Sequence, residues 1–215
     1  MELNAQLDKF GSVPFNHGAL LALLEDYRRP NDKIAHMIAK GEIVQLRRGL
    51  YVLGQSRRRV PVSLPLIANL LFGPSCVSLD FAMSWHGLIP EKVVEITSVT
   101  PRRATRYDTS LGRFSYTHLP LNLYRIGLRM EKNPDGSTFL MAGPEKALCD
   151  KLASTRNLPV NSITSMQTFL LNDLRIEEES LTRMDKAIFF EYMACGYKKR
   201  QLTLLFKALE KIQCQ

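Results

Sequence analysis

Residues 41–53, Gly-Glu-Ile-Val-Gln-Leu-Arg-Arg-Gly-Leu-Tyr-Val-Leu, restrict the fold of this chain more than any other stretch. Just before them, Ile34, Met37 and Ile38 occupy the i, i+3, i+4 positions of a helix, so they form its inward face. Gly41 then offers the left-handed residue on which helices commonly stop. An alternating stretch follows, reverses at Arg48-Gly49 and returns through Leu50-Tyr51-Val52-Leu53, which predicts a short hairpin with a basic tip. A helix beside a cationic ribbon is an arrangement that a DNA groove and its flanking phosphates accept.

The preceding residues supply the rest of such a unit. Residues 4–10 predict a first helix ended by Gly11. Phe15-Asn16 opens a second: Asn16 is a favourable N-cap, and Phe15 before it is placed to staple onto Leu20. Leu20, Leu21, Leu23 and Leu24 supply its buried side. Pro30 ends the connection, and Asn31 is expected to cap a third helix running through Lys40. Asp32, Lys33, His36 and Lys40 lie opposite its apolar face. The order helix, tight turn, helix, hairpin predicts a winged helix-turn-helix over residues 1–58, with residues 31–40 as recognition helix.

Charge agrees with a polyanionic partner. The chain has 215 residues and a net charge of +8. The excess is uneven: 10 basic against 6 acidic residues in 1–60, 7 against 4 in 61–130, and 12 against 11 in 131–215. The sign favours nucleic acid or an anionic surface without choosing between them. A hydrophobic fraction of 45% marks a globular chain rather than a disordered one. The longest apolar run, residues 64–72, is interrupted by Pro65 and Asn69, so no membrane association is expected. The N-terminus reads Met-Glu-Leu-Asn, with no secretory pattern, and Cys76, Cys149, Cys195 and Cys214 form no CxxC pair. Reduced, mostly packed cysteines and a cytoplasmic location are expected.

Beyond a polar linker with Arg57, Arg58 and Arg59, expected to be solvated, residues 59–215 predict a mixed domain. Helices are expected at 64–72 and 78–86, the latter capped by Ser78 and stopped by Gly87. About four strands are expected near 93–100, 113–119, 124–130 and 138–141, with a turn at Asn133-Pro134-Asp135-Gly136. Gly143-Pro144-Glu145 opens a helix with proline at its first position. Further helices are predicted at 162–172, 178–183, 185–195 and 197–213. The fold class is therefore α+β: a winged helix-turn-helix, then a small, mainly antiparallel sheet with a helical C-terminal half.

The candidate DNA-binding residues are Arg28, Arg29, Asn31, Lys33, His36, Lys40, Arg47 and Arg48. Asn suits adenine, Lys suits guanine or phosphate, and paired guanidiniums at a hairpin tip repel each other unless a polyanion offsets them. A second basic surface is expected from Arg102, Arg103 and Arg106, placed in a loop between strands, and from Lys198, Lys199 and Arg200 at the start of the last helix. His86 reads as a packed or capping histidine. Glu145, Lys146 and Asp150 open a helix, where capping and surface charge account for them better than the metal-holding pattern of a nuclease does. No P-loop, HExxH, GxSxG or Cys/His metal spacing occurs. No catalytic residue, metal or cofactor is expected.

Four stretches carry a family resemblance: residues 40–52, residues 78–90 (Ser-Leu-Asp-Phe-Ala-Met-Ser-Trp-His-Gly-Leu-Ile-Pro), residues 96–100 (Ile-Thr-Ser-Val-Thr) and residues 144–150 (Pro-Glu-Lys-Ala-Leu-Cys-Asp). Together they span roughly residues 12–155, and in this order they resemble the AbiEi-type antitoxins of type IV toxin–antitoxin systems, transcriptional regulators of phage defence. The resemblance implies a winged helix that represses its own operon and a second domain that opposes a nucleotidyltransferase toxin without a stable complex. A monomer or weak dimer is expected, with two copies on an inverted-repeat operator of double-stranded DNA. Two alternatives stay open: a stand-alone winged-helix regulator whose second domain binds a ligand or dimerises, and a DNA-targeted nuclease.

Overall fold

The structure, a computed structural model, describes residues 2–213 and has an α+β architecture. Cys214 lies outside the described residues; Cys76, Cys149 and Cys195 are free thiols, the first two buried and the third half-buried. No helix among the described residues is long and apolar enough to cross a membrane.

The first lobe runs α1 (Glu2–Asp8), β1 (Phe15–Asn16), α2 (His17–Leu23), α3 (Pro30–Ala39), β2 (Ile43–Arg47) and β3 (Leu50–Leu53). Its three strands form an antiparallel sheet in the order β1-β3-β2. Phe15 and Asn16, expected at a helix start, are a short strand first. Phe15 pairs with Tyr51, while the Asn16 side chain accepts the Ala19 N–H at 2.8 Å and so caps α2 as expected. Asn31 does not cap α3. Pro30 is the first helical residue and Arg29 stands before it without a side-chain cap bond. Proline has the helical φ built in, so the helix starts one residue earlier than expected and Asn31 lies inside its first turn rather than at the cap position.

Helix α3 ends as its glycine predicts. Gly41 has φ +68°, its N–H reaches the Ile38 carbonyl at 2.9 Å, and the Glu42 N–H reaches that of Met37 at 2.9 Å. Space beside Gly41 is open, so only its backbone angle restricts the residue. Gly41→Val should cost about 1–2 kcal/mol, roughly 2–8 °C in melting temperature; an unchanged melting curve would refute the assignment.

Leu7, Phe15, Leu20, Leu24, Ile34, Met37, Ile43, Tyr51 and Leu53 form the core of this lobe. The hairpin has a second apolar face. Leu46, Leu50 and Val52 are buried in the core of the other lobe, so all four β3 residues are enclosed. The lobes are also tied by the Ser12 hydroxyl, which donates to Asp135 at 2.7 Å.

The second lobe begins with α4 (Leu64–Leu71), β4 (Cys76–Val77) and α5 (Leu79–Trp85). It continues with β5 (Ile96–Thr100), β6 (Thr105–Thr109), β7 (Gly112–His118), α6 (Leu121–Tyr124), β8 (Leu128–Lys132) and β9 (Thr138–Ala142). The sheet has six strands in the order β6-β7-β5-β4-β9-β8. The β5–β7 and β4–β9 pairs are parallel and the other three antiparallel, so it is larger and more mixed than expected. Strand β4 is only two residues long and shows no readable alternation. Strand β6, Thr-Arg-Tyr-Asp-Thr, is an edge strand whose inward face carries Tyr107 between two threonines, a weak apolar signal. The expected strand at 124–130 is instead α6 followed by β8, because Gly127 takes φ +64°, which extended backbone does not pass through.

Ser78 does not cap α5 with its side chain. Thr97 takes that role: its hydroxyl donates to the Ser78 carbonyl at 2.6 Å and accepts the Phe81 N–H at 3.1 Å. The helical half matches its periodicity closely. It comprises α7 (Pro144–Ser154), α8 (Ile163–Thr168) running into a π-turn at Phe169–Asp173, α9 (Glu178–Thr182), α10 (Lys186–Ala194) and α11 (Lys199–Gln213).

Candidate nucleic-acid interface

The first-lobe candidates are all at or near the surface. Arg28, Arg29, Asn31, His36, Lys40, Arg47 and Arg48 are exposed, Lys33 is half-buried, and the second lobe encloses none of them. Arg28, Arg29, Pro30, Asn31 and Asp32 line one concavity at the start of α3. Arg29 pairs with Asp32 at 3.5 Å, an exposed contact of small energetic weight. The Lys33 ammonium sits 5.8 Å from the Tyr27 ring centroid, which directs it toward the turn between α2 and α3. Positions 33, 36 and 40 follow one stripe of α3 because side chains three and four apart share a helix face.

Hairpin geometry fixes the other group. Arg47 opposes Leu50, which leaves Arg48-Gly49 as a two-residue turn, and Gly49 takes φ +81°. The Gly49 carbonyl accepts the His17 N–H at 3.0 Å, and the Tyr51 hydroxyl lies 3.4 Å from His17 Nδ1. The tip is thus pinned to the N-terminal end of α2. His17 was not among the sequence candidates, because nothing in the local pattern links it to the hairpin.

The second basic group does not form one surface cluster. Arg102 and Arg103 are exposed in the β5–β6 turn, but Arg106 is on strand β6, not in a loop, and pairs with Glu95 at 3.7 Å. Lys198 is an anchor rather than a surface cation. Its ammonium donates to the Thr155 carbonyl and, at 3.2 Å, to that of Leu152, where a cation complements the C-terminal end of α7. Burial lowers its pKa from the usual lysine value. Lys199 is exposed and Arg200 contacts the Asn161 carbonyl at 3.4 Å. Arg57, expected to be solvated, is bound to α1 through Asp8 at 2.8 Å and Asn4 at 2.9 Å.

A polar cluster that periodicity misread lies inside the second lobe. Glu145, Lys146 and Asp150 are not surface charges but 5%, 0% and 0% exposed. Lys146 spends its ammonium on the Leu123 carbonyl at 3.2 Å, the Tyr192 hydroxyl at 2.9 Å and Asp150 at 3.2 Å. Asp150 also accepts from Tyr192 at 2.5 Å and from Ser78 at 2.6 Å. Glu145 accepts the Asp185 N–H at 3.1 Å and pairs with Arg129 at 3.4 Å. Burial, and next the charge of Asp150, pushes the Tyr192 hydroxyl far above the phenol range, and burial likewise raises the Cys76 and Cys149 thiols. The cluster joins α7 to β4, α6 and α10. His86 is a packing residue as expected, with Nε2 2.8 Å from the Ala142 carbonyl. Among the described residues no group of His, Cys, Asp and Glu is arranged to hold a metal ion.

No family model matches the chain, and no curated protein matches it either.

Proposed function

We propose that the chain is a DNA-binding transcriptional autorepressor and antitoxin of the AbiEi type, with the first lobe as a winged helix-turn-helix. The observation that carries this reading is the element order α1-β1-α2-α3-β2-β3 with sheet order β1-β3-β2, ending in a hairpin tip of two exposed arginines. In that arrangement α3 is the recognition helix. Asn31, Lys33 and His36 approach base edges or adjacent phosphates, and Lys40, Arg28 and Arg29 approach the backbone. Arg47 and Arg48 hold the flanking phosphates. Two copies occupy an inverted repeat, since one recognition helix reads only a few base pairs. The second lobe counters a nucleotidyltransferase toxin without acting as an enzyme itself. The enclosure of Glu145, Lys146 and Asp150 supports this over a nuclease, whose carboxylates must reach metal and water.

The test is a mobility-shift series on the duplex upstream of the coding sequence. Arg47→Ala/Arg48→Ala should weaken binding across sequences and reduce the salt slope by about two. Unchanged affinity would remove the hairpin from the interface. Co-expression with the product of an adjacent nucleotidyltransferase gene tests the antitoxin half, and failure to rescue growth would leave only the regulator.

A further inference from the structure

Arg57, Arg58 and Arg59 follow one another just after the hairpin, and the fold treats them differently. Arg57 is neutralised by Asp8. Arg58 and Arg59 have no carboxylate within ion-pair distance among the described residues. Arg58 is half-buried, and its Nε is enclosed with no hydrogen-bond partner. Enclosing part of a guanidinium without an acceptor costs free energy, because lost water is not replaced. Burial accordingly pulls the Arg58 pKa below the usual arginine value.

Both arginines line one cavity of about 470 Å³, within the range of about 300–1,000 Å³ that small-molecule sites occupy. Gln55, from the short helical turn after β3, lines it too, as do Val62 and Leu64 at the entry to α4 and Leu111 in the β6–β7 turn. Val62, Leu64 and Leu111 also pack against the core of the second lobe, which gives the cavity a fixed apolar wall. Val60, another lining residue, is 45% exposed, apolar surface that an occupant would cover. No acidic side chain is among the lining residues. Two unneutralised guanidiniums disfavour a cation, and an inorganic anion would leave the apolar wall wet.

We propose that this cavity binds a small organic anion with an apolar body: a carboxylate, sulfonate or phosphate group on an aromatic or branched aliphatic frame. The charged end accepts hydrogen bonds from Arg58 and Arg59, whose planar forks suit such groups. The body covers Val62, Leu64 and Leu111. The site is built from the segment that leaves the hairpin and from the second lobe, so occupancy should raise the melting temperature by mass action. The inference goes beyond the DNA-binding reading and does not depend on it.

The probe is anilinonaphthalene sulfonate, an aromatic anion that fluoresces in apolar surroundings. Titrated into the full chain, it should show saturable binding. Phenylnaphthylamine, the same rings without the sulfonate, should bind at least about tenfold more weakly, the equivalent of one charge-assisted hydrogen bond. Arg58→Met/Arg59→Met should weaken the sulfonate by about tenfold or more. Arg59→Met alone changes an exposed side chain, so it tests the site even if the double variant fails to fold; it should weaken binding about fivefold. Arg103→Met/Lys199→Met, the same loss of charge at exposed positions outside the cavity, should leave affinity unchanged. Equal binding of the uncharged rings, wild-type affinity in Arg59→Met, an equal loss in the Arg103/Lys199 variant, or a wild type that never saturates would overturn the proposal.

Discussion

Lys146→Met should destabilise the protein by about 3–5 kcal/mol, a fall of roughly 6–20 °C in melting temperature. The substitution conserves much of the volume but leaves Asp150 charged at 0% exposure, with only the Ser78 and Tyr192 hydroxyls to satisfy it. The Leu123 carbonyl loses its contact with the ammonium as well. The cost of an unpaired buried charge is what makes the effect large; the intact pair by itself need stabilise little. Lys146→Met/Asp150→Leu should therefore recover a substantial part of the loss. Thermal unfolding of the wild type, the single and the double variant checks this. A single variant within about 1 kcal/mol of wild type would mean that the carboxylate reaches water or a proton at no cost.

Gly54→Ala should cost about 3 kcal/mol, roughly 6–12 °C, although alanine is ordinarily the mildest replacement for glycine. A Cβ at position 54 would stand 1.8 Å from the Gly41 carbonyl oxygen and 2.9 Å from its carbon. Both are backbone atoms and cannot rotate aside. The Gly54 N–H also donates to the Glu42 carbonyl at 2.8 Å, which holds the end of β3 against the turn after α3. Forcing them apart should tilt the hairpin relative to α3, so, on the proposed DNA-binding reading, the variant should lose DNA affinity even below its melting temperature. Anisotropy on folded protein measures that loss, and unchanged melting would refute the close approach.

The two substitutions mark the boundary of what can be read along the chain. Gly41, Asn16 and the Arg48-Gly49 turn act on neighbours within a few residues, and so does the apolar stripe of α3. Their outcomes followed from spacing alone. The exposure of His36, Lys40, Arg47 and Arg48 was legible for the same reason, since they lie opposite an apolar face or at a turn. Arg57 and Lys198 look no different in sequence. Their roles depend on α1 and on the end of α7, which are distant along the chain and adjacent in space. Gly54 carried no signal, because its constraint is a carbonyl from another element.

What the sequence by itself determined was local: where α3 stops, where the hairpin turns, and that the basic excess sits in the first two-thirds of the chain. Tertiary structure decided which strands pair, that β3 is buried on both faces, and that Lys146 and Asp150 are interior. Helical spacing puts Lys146 and Asp150 on one face, but only a fold that brings Ser78, Leu123 and Tyr192 to that face says whether it meets water or protein. Periodicity reports which side chains point the same way; the partner on the far side comes from chain closure, which leaves no periodic trace.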